Sequence, residues 1–134
     1  MSMDIYVEEL IFHYEHPHNK GKISNPSSTF HEFNPVCGDD ITIYVTIQDG
    51  IIKDVKFDGA GCSISVASAS MLTDSVKGKR IEEVEKMGFP ELKEIIGIDP
   101  GPVRIKCATL SLKTLKGAVF LYDHKPMDDS TKKL

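Results

Sequence analysis

No stretch of this chain is apolar for long enough to cross a bilayer, so no membrane-embedded role is expected. Basic residues are not in excess. Lys and Arg number 16 against 20 Asp and Glu, a formal net charge of -4, so the electrostatic footprint of a nucleic-acid binder is missing. Asp4, Glu8 and Glu9 stand where a secretory signal would carry its basic region, and no signal peptide is expected. Cysteine is scarce: Cys37, Cys62 and Cys107 are three in number, cannot all pair, and are not spaced as a disulfide framework. A reducing cytoplasm is the expected setting. There is also no C-x-x-C pair, which argues against a zinc finger or ribbon. No internal repeat and no domain boundary interrupts the chain.

What is present is an ordinary globular composition, 40% hydrophobic and 27% charged over 134 residues. That predicts a single domain over residues 1–134 with a real hydrophobic core. Met3, Tyr6, Val7, Leu10 and Tyr14 fall on one face of a helix over 3–15. A loop containing Pro17, Gly21 and Pro26 follows, then a short strand at 29–33 with Phe30 and Phe33 on opposite faces. In 40–48, Ile41, Ile43, Val45 and Ile47 alternate with polar residues, and Asp49-Gly50 is a strong type I′ hairpin signal. The spacing predicts a returning strand at 51–57 and a tight loop at 58–62. Beyond it a helix at 63–77 carries Ile64, Ala67, Met71 and Leu72 on one stripe, with Gly78 as its C′ residue. Short helical segments are expected at 81–87 and from Pro90 to Gly97, with Met71 and Met87 at core-like positions. After the Asp99-Pro100-Gly101-Pro102 break a last helix runs from about Arg104 to Tyr122, and a polar flexible tail covers about 124–134. This is an α+β order: a small antiparallel sheet of about three strands, covered on one face by helices.

The chemistry gathers around Asn34-Pro35-Val36-Cys37-Gly38-Asp39. A thiol and a carboxylate stand two residues apart across a glycine that admits φ > 0. A lone free cysteine is most often a small buried hydrophobe. These three share features that packing does not need. Cys37 and Cys62 are set among glycines (Gly38; Gly59 and Gly61), and Cys62 and Cys107 precede or open a helix, whose N-terminus favours thiolate. Arg104 and Lys106 flank Cys107 and push the same way. Three thiolates and a carboxylate suit tetrahedral zinc, and equally an iron–sulfur cluster. Spacing alone does not decide between them.

Two rival readings are weaker. Gly59-Ala60-Gly61 follows a strand and precedes a helix, as in a dinucleotide-binding turn, but Ile64 replaces the third glycine and no parallel crossover follows. His13, His16 and His18 cluster where the first helix ends, which reads as solvation of that end, with metal contact by His16 and His18 on either side of Pro17 as the weaker alternative. His31 reads as a strand surface residue, His124 belongs to the tail, and Glu82, Glu83 and Glu85 form a solvated face.

With these residues in view the chain resembles the iron–sulfur cluster assembly scaffold family, IscU and SufU, which includes the N-terminal domain of NifU. Residues 6–21 (YVEELIFHYEHPHNKG) are similar to the family's opening helix and its His/Asn-Pro-x-Asn-x-Gly end. Asn34–Asp39 resembles its N-P-x-C-G-D, Gly59–Ser65 its G-x-G-C-x-I-S, and Arg104–Ala108 its third-cysteine segment. The resemblance implies that Cys37, Asp39, Cys62 and Cys107 hold zinc or a nascent [2Fe–2S] cluster. Gly38, Gly61, Arg104 and Lys106 would support them, with Cys37 as persulfide acceptor and Cys107 the alternative. It also implies a cysteine desulfurase as partner and apo iron–sulfur proteins or carriers as recipients, with no enzymatic activity of the chain's own. Lys106 replaces the histidine that precedes the third cysteine in IscU scaffolds and looks like the SufU branch. Only 45 positions separate Cys62 from Cys107, close to the IscU layout, which lacks the SufU insertion. Pro100–Arg104 keeps only part of the Leu-Pro-Pro-Val-Lys segment that docks a specialised Hsp70, which weakens that expectation. Three functions follow: a cluster scaffold, a zinc-bound sulfur-transfer partner, or a structural zinc module.

Overall fold

The alternation Ile41, Ile43, Val45, Ile47 turns every second side chain to one face of a strand. All four are buried in a strand running Asp39–Gln48. The computed structural model describes residues 2–35 and 37–134, with side chains from Ile5 onward. The expected placing of Met3 on a helix face, and Val36 of the cysteine motif, lie outside the described residues. In chain order the elements are α1 Ser2–Glu15, β1 Ser28–Asn34, β2 Asp39–Gln48, β3 Ile51–Ala60, α2 Ser63–Val76, α3 Ile81–Glu85, α4 Phe89–Ile96, α5 Gly101–Tyr122 and α6 Asp129–Lys132.

The strands pair antiparallel in the order β1-β2-β3, the α+β arrangement expected. Asp49 and Gly50, at φ 56° and 73°, close the β2–β3 hairpin with both residues left-handed, as a type I′ turn requires. Lys53 is the extra residue of a bulge: Thr46 pairs with Asp54 and Ile47 with Ile52. That shift lets Ile52 and Val55 both point inward although three positions apart. The returning strand does not stop at 57. It continues to Ala60 opposite Asp40, so the loop expected at 58–62 shrinks to Gly61 and Cys62. Gly59 permits this, because a Cβ there would stand 1.9 Å from the Asp40 carbonyl oxygen.

Helices α2 and α5 cover the sheet, α5 against β1 and β2, and α2 against β3 and α5. Helix α2 is buried almost all round from Ser65 to Thr73; its Ala and Ser side chains let it sit between layers. Helix α1 packs on the outer side of α2. Of the described side chains on its expected apolar face only Leu10 is buried, whereas Tyr6, Val7 and Tyr14 are exposed. Part of the contact is polar: His13 Nδ1 stands 2.7 Å from Ser70 Oγ of α2. Gly97, at φ 79°, closes α4 as expected, its N–H donating to the Lys93 carbonyl. Gly78 is left-handed too, but as the third residue of a type II turn in which the Lys79 N–H reaches the Val76 carbonyl at 3.0 Å. Helix α5 starts three residues ahead of the expected Arg104, with Pro102 in its first turn, where a missing N–H costs nothing. The C-terminal segment holds α6, capped by Asp128 accepting the Thr131 N–H at 2.9 Å.

Candidate metal centre

Asp39 opens β2 in phase with the core isoleucines, so the period that buries Ile41 also buries a carboxylate, with 0% exposure. Its Oδ1 accepts the backbone N–H of Cys62 at 2.9 Å, and the side-chain amide of Asn34, its register partner on β1, stands 3.5 Å from Oδ2. Gly61 makes room for this contact. A Cβ there would lie 2.1 Å from Ser65 Oγ and 2.8 Å from Asp39 Oδ1. Gly38 serves the backbone only: it sits at φ 73° with open space around the missing Cβ, and its N–H closes the turn onto the Asn34 carbonyl at 2.7 Å.

Cys37 stands exposed in that turn, while Cys107 is buried in the second turn of α5. Their sulfurs nonetheless meet at 3.1 Å across 70 positions of sequence. The ligand atoms of Cys37, Asp39 and Cys107 all lie within 4.8 Å of one another, a set able to take one metal ion. Cys62, the N-cap of α2, reaches this set through a hydrogen bond to the Cys107 thiol. It is not a member of the mutually close group. The fit to zinc is good in kind and close in distance: Zn–S bonds of about 2.3 Å place two sulfurs of a tetrahedron roughly 3.8 Å apart, a widening of about 0.7 Å.

The electrostatics correct one expectation. Cys107 is the seventh residue of α5, not its opening, and its thiol is pushed far above the ordinary cysteine range. Burial is the main cause, and hydrogen bonds with Cys37, Cys62 and Asp39 add to it. The buried Cys107 thiol therefore holds its proton until a cation replaces it. Arg104, one turn before Cys107, lies beside the sulfurs. The charge of Cys62, then hydrogen bonds to Cys62 and Cys107, raise its own pKa. Lys106 faces elsewhere. Its ammonium donates to the carbonyls of Lys133 and Leu134 at 2.6 and 3.0 Å, so it fastens the C-terminal segment instead of balancing thiolates.

Asn34 opens the same motif, and its pairing with Asp39 becomes visible only once β1 and β2 are in register. His31 lies exposed beside Asp40 on the sheet surface, its ring nitrogen 2.5 Å from that carboxylate. His13 and His18 do more than solvate a helix end. Both face Ser70 and Asp74 of α2.

Comparison with known proteins finds a family match along nearly the whole chain. The NifU-like N terminal domain family matches residues 5–129. A zinc-dependent sulfurtransferase, SufU of Bacillus subtilis, is 38% identical over 132 residues, spanning 86% of this chain and 89% of that protein. An iron–sulfur cluster assembly scaffold protein, IscU 1 of Archaeoglobus fulgidus, is 36% identical over 121 residues, covering 90% and 78%. In three dimensions the N-terminal part of a NifU-like protein from Brucella abortus superposes with a TM-score of 0.74. At 17% identity, over 94% of this chain and the whole of that one, this is a likeness of fold.

Proposed function

Since the chain belongs to the NifU-like N-terminal domain family, we propose that it is an iron–sulfur cluster assembly scaffold working with a cysteine desulfurase. The carrying observation is the approach of the Cys37 and Cys107 sulfurs to 3.1 Å beside a buried carboxylate. In this reading Cys37, the exposed thiol, takes sulfur. Its thiolate attacks the outer sulfur of the desulfurase persulfide, leaving a persulfide on Cys37 and a thiolate on the enzyme. An external two-electron reductant then cleaves that persulfide to sulfide and the Cys37 thiolate, and iron and sulfide assemble as cargo on Cys37, Cys62 and Cys107, with Asp39 as the oxygen ligand. A carboxylate binds cluster iron less firmly than thiolate, which provides a point of release to apo proteins or carriers. Arg104 offsets the negative charge gathered on three thiolates and a carboxylate. The chain has no catalytic cycle of its own in this role.

A second reading rests on a specific likeness, the 38% identity to a protein named as a zinc-dependent sulfurtransferase. Here the same four side chains hold zinc, which keeps thiols deprotonated, and Cys37 leaves the set to accept sulfur on docking. The two are separated by anaerobic reconstitution with a cysteine desulfurase, cysteine, iron and a thiol reductant, with zinc followed alongside. Visible charge-transfer bands with about two irons and two sulfides per cluster, displacing zinc, are the expected result. Retained zinc, a faster desulfurase and no stable cluster would establish sulfur transfer in its place.

A further inference from the structure

A second group of metal-ligating side chains lies well away from the thiols. Asp74 stands twelve residues along α2 from Cys62, roughly 18 Å at the helical rise. Facing it are His13, from the last turn of α1, and His18, from the loop that follows. One ligand atom from each of His13, His18 and Asp74 lies within 4.8 Å of the other two, and the two imidazoles are 4.7 Å apart between ring centres.

Three features distinguish this group from a casual surface contact. It is drawn from three separate segments whose positions are held independently. The loop is fastened to β3 by backbone hydrogen bonds, Gly21 N–H to the Phe57 carbonyl at 2.8 Å and Phe57 N–H to the Asn19 carbonyl at 2.9 Å. The outer partners are also in place. Ser70 Oγ stands 2.7 Å from His13 Nδ1 and accepts the His18 backbone N–H, while Asn19 Nδ2 donates to Asp74 Oδ1 at 2.9 Å and to Thr73 Oγ1. Such contacts orient the imidazole and carboxylate ligands of metal sites. Finally, the group is open to entry, with the His18 and Asp74 side chains 46% and 42% exposed.

We propose that His13, His18 and Asp74 form a second, solvent-open site for a divalent first-row transition ion of the zinc class. Two imidazoles and one carboxylate are a borderline N/O donor set that suits zinc, cobalt or ferrous iron over calcium or magnesium. On binding, the ion takes the hydrogen-bonded position between His18 Nδ1 and Asp74 Oδ2, which stand 2.5 Å apart, and the imidazole carries its proton on Nε2. Water fills the remaining coordination positions, so the ion is exchangeable. Bound there it ties α1 and its following loop to α2. The site does not depend on the scaffold reading, because it shares no residue with the thiol set.

The test is a cobalt titration of the untagged, metal-free full chain. Cobalt on thiolates gives intense near-ultraviolet charge transfer, and cobalt on nitrogen and oxygen gives only weak visible bands. The wild-type chain should bind two equivalents, one of them without the thiolate band. His18→Gln and Asp74→Asn should each lose that equivalent and keep the thiolate-linked one. His18 is exposed, so its variant keeps the fold and decides the matter even if Asp74→Asn unfolds. A wild-type chain that binds no cobalt outside the thiolates overturns the proposal, as does an N/O equivalent that survives in His18→Gln. Failure of the thiol set alone would look different: the thiolate band would be missing while the N/O equivalent remained.

Discussion

Single residues at the thiol set do more than supply ligand atoms. Asp39 accepts the Cys62 N–H and faces two sulfurs, so its carboxylate positions the start of α2 while offering the hardest ligand of the proposed four. Replacing it by Ala removes the weakest attachment to cluster iron. Asp39→Ala should therefore give a cluster that decays several-fold more slowly after a chelator is added, read from its visible absorbance; faster decay would remove Asp39 from the release role. Gly61 acts by what it omits. In Gly61→Ala the new methyl meets Ser65 Oγ and Asp39 Oδ1 at 2.1 and 2.8 Å, and must displace a residue that orients the set. Zinc affinity should fall roughly 10- to 100-fold, as for other losses of outer-shell support, measured by competition with a chromophoric chelator while the far-ultraviolet spectrum stays native. Both residue types were visible in the motifs. The depth of Cys107, and with it the protonated state of the free thiol, was not, because burial of a sulfur depends on what packs over it.

At the scale of elements, the contact between α5 and β1 turns on Gly117. A Cβ there would stand 2.5 Å from the Phe30 ring and 2.8 Å from Met127 Cε. Alanine gains about 1 kcal/mol of helix propensity over glycine, but overpacking a well-filled contact costs about 1–3 kcal/mol. The ring, packed against the core, cannot swing freely aside, so the clash should win. Gly117→Ala should lower the midpoint of chemical denaturation; an unchanged or higher midpoint would mean that the helix simply slides. One residue before it, Lys116 is buried at 2% exposure and donates its ammonium to the Met87 carbonyl. Burial lowers its pKa, and the charges of Asp128, Glu91 and Glu85 only partly restore it. The sign follows: between the lowered folded value and the ordinary lysine value the unfolded chain holds more protons than the native one. Stability from this group therefore rises with pH across that alkaline window. Lys116→Met should flatten that rise in a plot of unfolding free energy against pH, and an identical slope would exclude Lys116 as its source.

For the whole molecule the question is whether metal makes the fold. The buried cluster runs from Ile41 through Phe57, Leu72 and Ile96 to Val119, drawing on the sheet and four helices without using a thiol. Chelation should therefore leave the far-ultraviolet spectrum intact. With metal at a hundredfold excess over its Kd, binding adds about 2.7 kcal/mol, so removal should lower Tm by roughly 10 °C for a domain of this size. Loss of the helical signal on chelation would instead support the structural zinc module. Among the described residues no helix is long and apolar enough to cross a membrane.

The sequence alone determined the order of elements, the β2–β3 hairpin and the glycine-flanked setting of Cys37 and Cys62. Each of these is local: alternation at a period of two and the turn chemistry of Asp-Gly act over a few residues. The full reach of β3, the exposed face of α1 and the early start of α5 were not legible, because strand pairing and helix packing overrode local pattern. Tertiary structure alone decided that Cys107 lies deep beside Asp39 and that Lys106 turns to the C-terminal carbonyls while Arg104 stays with the thiols. It also brought His13 and His18 to Asp74. His18 and Asp74 are 56 positions apart and Cys37 and Cys107 are 70, and only the packing of the helices on one another and on one face of the sheet sets which side chains share a neighbourhood.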